Sequence, residues 1–194
     1  MNRSFLRTLL AVLVLVLSTA HAAVDVAGVR FEERTTLADH TLVMNGAGLR
    51  TRFMFKVYAM ALYLPQAATT PEAVLAATGP RRVRIVTLRE LSAEQFVDAL
   101  IDGLQNNNPP AALGALQPAI ATFRDAMLSI GRTPAGTEVL LDWVPGAGTR
   151  LTVAGTRRGD DIADAAFYPA LLRVWLGERP VQADLKKRLL GATE

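Results

Sequence analysis

The sequence predicts an α+β domain, a mostly antiparallel sheet with helices packed on one face. Three observations carry this. Strand-like segments fill most of the first half, hydrophobic spacing turns helical after Ser92, and one Pro-Gly hairpin signal separates two sets of helices.

Residues 24–35 alternate weakly, with Gly28 as a bend. A short apolar run, 41–44, meets Asn45-Gly46-Ala47-Gly48, residue types that tolerate positive φ and so predict a turn. The stretch 49–64, LRTRFMFKVYAMALYL, is rich in aromatic and branched residues and reads as a long strand or a hairpin. A short helix is expected over 71–77, with Pro71 in its first turn. Residues 81–88 alternate cationic and apolar side chains, so Arg81, Arg82 and Arg84 read as a solvated edge that discourages strand pairing.

Ser92 and Gln95 form a capping box for a helix running to about Leu104. Asn106-Asn107-Asn108-Pro109-Pro110 breaks it. A single second helix is expected over 111–130, stopped by Gly131. Strands at 137–144 and 149–156 flank Pro145-Gly146-Ala147-Gly148, a hairpin signal. Helices at 165–176 and 182–190 close the chain; Trp143 and Trp175 are expected in the core.

Residues 1–22 read as a cleavable signal peptide. Arg3 and Arg7 precede an apolar run at 9–17, and Ala20-His21-Ala22 offers small residues at the two positions a signal peptidase reads. The run is far shorter than the ~20 residues a spanning helix needs, so the expectation is an exported, periplasmic protein with no integral membrane segment after cleavage. Residues 23–194 then form one domain, long enough to build a core.

Composition excludes several function classes. The apparent pI of 9.7 belongs partly to the leader. Without Arg3 and Arg7, 19 Lys and Arg face 18 Asp and Glu, which gives no argument for nucleic acid. There is no cysteine, and past the leader the only histidine is His40, expected at the surface, so no metal site and no Cys-His chemistry is anticipated. No phosphate loop or dinucleotide fingerprint occurs, and no cofactor is expected.

Three segments, taken in order, resemble the chalcone isomerase-like superfamily, closest to its exported bacterial branch. They are Asn45-Gly46-Ala47-Gly48-Leu49-Arg50 with KVYAMALYL after it, PAGTEVLLDWVPGAGTRLTV at 134–153, and FYPALLRVWLGERPVQADLKKRLLG at 167–191. The resemblance implies an open-faced β-sandwich, a curved antiparallel sheet around one layer of helices, with a cleft between them.

The superfamily includes plant enzymes that cyclise chalcones, non-catalytic relatives and plastid fatty-acid binders. The enzymes use an Arg after the glycines, a Thr on the next strand, and a Tyr and an Asn on the following helix. The matching positions here are Arg50, Tyr58, Phe96 and Gly103. Phe96 lacks a hydroxyl and Gly103 an amide, so the proton-handling set is missing. Arg50 and Tyr58 resemble instead the pair that holds a fatty-acid carboxylate, a use that suits a guanidinium fork and a phenol.

The expected function is therefore a non-catalytic binder of a small apolar carboxylate through Arg50 and Tyr58. The alternatives are an isomerase of the intramolecular lyase type on an unknown substrate, and a structural or interaction protein with a filled cleft. Competing with the binding role, Arg50 also reads as an exposed strand cation, like Arg52 and Lys56, and Tyr58 as a core aromatic. One continuous strand would hold Arg50 and Tyr58 roughly 26 Å apart. They meet only if the chain folds back near residues 53–55, where no Gly, Pro, Asn or Asp marks a turn.

Overall fold

The computed structural model describes residues 23–192. The leader lies outside the described residues. In chain order the elements are β1 (Ala23–Val26), β2 (Val29–Glu32), β3 (Arg34–Leu37), β4 (His40–Arg52), β5 (Phe55–Leu64), α1 (Pro71–Ala76), β6 (Arg81–Thr87), β7 (Leu91–Ser92), α2 (Ala93–Asn107), α3 (Pro110–Ala115), α4 (Gln117–Leu128), β8 (Arg132–Thr133), β9 (Glu138–Val144), β10 (Gly148–Val153), β11 (Thr156–Arg157), α5 (Phe167–Leu176) and α6 (Ala183–Leu189). One seven-stranded antiparallel sheet runs β11-β10-β9-β6-β5-β4-β3, and helices fill one face.

Strand β5 explains the layering. Its even-numbered residues Tyr58, Met60, Leu62 and Leu64 meet the helices; Ala59, Ala61 and Tyr63 meet Phe31 of the β1–β2 hairpin on the other face. A strand covered on both sides reads as a continuous apolar run, as this one does. From the helix layer, Phe167, Leu171, Val174 and Trp175 of α5 join Leu100 and Leu104 of α2 in the main core. Each such burial is worth roughly 1.5–3 kcal/mol.

The first strand segment proves to be three short strands. Asn45–Gly48 is not a turn: it lies inside β4, where Asn45 is the extra residue of a bulge between Met44 and Gly46, opposite the Leu62–Tyr63 step of β5. Helix α6 crosses directly above. A Cβ at Gly46 would sit 2.0 Å from the Arg188 carbonyl, so the glycine is there for close approach and not for positive φ. The extra residue, Asn45, is satisfied by donating to the carbonyls of Leu189 (2.7 Å) and Ala68 (2.9 Å).

The expected helix at 111–130 is two helices, broken at Leu116 just before Pro118. Pro118 favours a first turn and disfavours an interior. The arginine stripe is not an edge either, because β6 is central. Arg82 is bound by both oxygens of Asp142, and Arg84 reaches Glu138. Arg81 is only 4% exposed; its guanidinium lies 5.1 Å from the Tyr168 ring centre and 5.9 Å from that of Trp143, and burial lowers its pKa. Asn108 also does more than end a helix: buried, it donates to the Leu104 and Ala170 carbonyls and ties α2 to α5. The capping box at Ser92 and Gln95 forms in both directions.

Candidate functional site

The stretch 49–64 is a hairpin, and its turn is Phe53–Met54. Phe53 takes a left-handed φ of 56°, which a bulky residue adopts at a cost of about 1–3 kcal/mol. The fold-back makes Arg50 and Tyr58 direct cross-strand partners. Such partners stand about 4.5–5.5 Å apart at Cβ and share a sheet face. The register slips just beyond them, leaving Val57 as an extra residue on β5.

Both side chains line one cavity of about 280 Å³ between sheet and helices. Its apolar wall is Val57, Phe96, Leu100, Val174 and Val181; Phe53 and Phe55 stand at the hairpin end. Arg50, Arg52 and Arg89 line it and no acidic residue does.

The Arg50 guanidinium donates to the Thr51 carbonyl and, at 3.3 Å, to Gln182 Oε1. Gln182 precedes α6; its Oε1 also accepts from the Thr51 N–H at 2.8 Å, and its Nε2 donates to the Leu49 carbonyl at 3.3 Å. Thus α6 holds the end of β4 from which Arg50 projects. The Tyr58 hydroxyl accepts from Trp175 Nε1 at 2.9 Å, which leaves its own proton available to a further acceptor. Burial raises the Tyr58 pKa, against the opposing pull of the Trp175 bond and the Arg50 charge. At neutral pH the phenol is therefore an O–H donor beside a fixed cation. Phe96 packs edge-on to Tyr58, ring centres 6.2 Å apart.

Apart from Arg52 at the cavity's hairpin end, the remaining sequence candidates fall elsewhere. Gly103 faces α5, where a Cβ would meet Val174 at 2.6 Å. His40 is exposed at the far end of β4, and Arg52 and Lys56 are exposed near the turn. Trp175 is buried and Trp143 half-buried against the core. Sequence reasoning missed Trp175 and Gln182 as site residues. For Trp175 a signal existed: an indole on a core-facing helix stripe needs an acceptor, and Tyr58 was the buried hydroxyl to supply it. For Gln182, 132 residues from Arg50, there was none.

Among the described residues no cluster of His, Asp and Glu is placed to hold a metal ion, and no helix is long and apolar enough to cross a membrane. No curated protein sequence matches the chain. Among solved structures it is similar to a fatty-acid binding protein of Arabidopsis thaliana, with a TM-score of 0.62 and 14% identity over 84% of this chain and 92% of that one. At that identity the likeness shows the fold: a curled antiparallel sheet with helices on one face. The sequence profile described as chalcone isomerase-like matches residues 23–191, nearly all of the described chain, and the protein belongs to the chalcone isomerase-like family.

Proposed function

We propose that this is a non-catalytic carrier of a small apolar carboxylate, a short or medium fatty acid, in the exported bacterial branch of its family, working in the periplasm. The observation that supports it most is a guanidinium and a neutral phenol facing one apolar cavity that no acid lines. A carboxylate there accepts from Arg50 and Tyr58, a charge-assisted set worth about 1.5–3 kcal/mol. The tail lies on Phe96, Leu100, Val174 and Val181, adding about 0.8 kcal/mol per buried CH₂. A volume of about 280 Å³ is at the low end for ligand pockets, which run from about 300 Å³, and so favours a short tail. The fatty-acid binding of the Arabidopsis neighbour is consistent with this reading.

The isomerase alternative draws on the same Tyr58 proton as a general acid. Phe96, where the plant enzymes carry a hydroxyl, weighs against it, and a raised Tyr58 pKa makes a poor base at neutral pH.

Titration with octanoate by calorimetry, alongside native mass spectrometry of the protein as it leaves the cell, tests the proposal. We expect one bound acid per chain, with affinity falling about 10- to 100-fold in Arg50→Ala. An empty protein that takes up no acid from acetate to palmitate would sink it.

A further inference from the structure

The tip of the β4–β5 hairpin carries Phe53, Met54 and Phe55, exposed by 90%, 94% and 61%. Turns are ordinarily built from small and polar residues; three consecutive large apolar side chains at the apex are the opposite choice. Cations surround them. The Arg52 guanidinium lies 5.9 Å from the Phe53 ring centre and that of Arg89 lies 5.1 Å from the Phe55 ring centre. Lys56 is exposed beside them. The hairpin end, residues 49–58, contains no acid, and Glu90, next to Arg89, is held by Arg132 at 3.2 Å.

We infer that this tip docks on an anionic lipid bilayer, with Phe53, Met54 and Phe55 in the boundary between headgroups and acyl chains and Arg52, Lys56 and Arg89 on the phosphates. Shape and charge favour a bilayer over a protein partner. Binding hot spots between proteins lie in packed, desolvated pockets, and a convex apex offers no such pocket. A fluid boundary admits a protruding apolar point, and an anionic surface attracts the cations around it, each shifting the partition by roughly fivefold. Phe53 and Phe55 are also walls of the cavity, so docking sets its mouth against lipid. A route for a carboxylate between bilayer and cavity follows only if the carrier reading above holds; the docking rests on the tip and its cations alone.

The chain has no cysteine, so Met54→Cys in the full chain accepts a single nitrobenzoxadiazole label, with His40→Cys at the other end of β4 as the comparison site. We expect the label at 54 to shift to the blue and brighten on vesicles of equal parts phosphatidylglycerol and phosphatidylcholine. The response should be weak on phosphatidylcholine alone, weak in high salt, and absent at position 40. Adding Arg52→Glu, Lys56→Glu and Arg89→Glu should lower the affinity for anionic vesicles about 100-fold or more. A label at 54 that stays unshifted on anionic vesicles overturns the inference. So does one that shifts without lipid as protein concentration rises, since a second copy would then cover the tip. Octanoate titration of Met54→Cys separates the two proposals: binding retained without vesicle response rejects docking alone, and vesicle response without octanoate binding rejects the carrier alone.

Discussion

Arg82 and Arg50 stand on strands of one sheet, separated only by β5, and their surroundings are opposite. Arg82 faces the outer side, where both oxygens of Asp142 bind it at 2.7 and 2.8 Å. Its neighbours Arg84 and Arg150 are likewise matched, to Glu138 and Asp161. Arg50 faces the helices and, among the described residues, meets the neutral oxygens of Thr51 and Gln182 and the Tyr58 phenol, with no carboxylate paired to it. Matched guanidinium groups hold strands together. An unmatched one at a cavity, short of its best acceptor, is where a small anion gains most.

Breaking the matched side should have the largest effect. Asp142→Ala leaves Arg82 partly buried without a counter-ion, and should cost about 3–5 kcal/mol of folding stability by urea denaturation. A loss near zero would mean the outer pairs do no more than decorate the surface. Next, the two sides can be made alike. Gln182→Glu places a carboxylate within reach of Arg50 and should weaken octanoate binding about tenfold or more, with stability changed by about 1 kcal/mol or less. Unchanged binding would show that Arg50 is not the anion's seat.

A smaller test uses pH. The bond from Arg150 holds the Asp161 pKa below its ordinary value of 3.8, and Arg157 adds to the effect. A carboxyl with a depressed folded pKa contributes stability above its unfolded pKa and loses it as pH falls through the folded one. Asp161→Asn should therefore cost about 1 kcal/mol near neutral pH, and wild type and variant should converge below about pH 3.8 in urea titrations.

How much of this was legible varies with the distance of the deciding contact. The Ser92–Gln95 capping box, the hairpin pairing Val144 with Gly148 and the stop at Gly177 are local, and residue types alone announce them. Asn45–Gly48 carries turn residues for a different reason: the clearance they give is needed by α6, about 140 residues later in the chain. The stripe of Arg81, Arg82 and Arg84 looked like an edge because its acids lie 54 and 60 residues away on β9. At the site, Arg50 and Tyr58 were visible through the family pattern. Their meeting was not, because Phe53 and Met54 turn without a single turn-forming residue.

The anchorage of Asn45 has a bearing on when the domain becomes functional. Its amide spans 144 residues to reach Leu189, and the loop closure behind that bond is among the slowest contacts a chain makes. Until α6 arrives, β4 carries a bulge whose amide keeps Ala68 but lacks Leu189, two glycines with nothing above them, and an Arg50 that lacks Gln182. The short helix α6 is thus a latch, and synthesis delivers it after the strands and helices it closes upon. Were the chain exported unfolded, the cavity would come into being only on the far side of the membrane, after α6 had crossed.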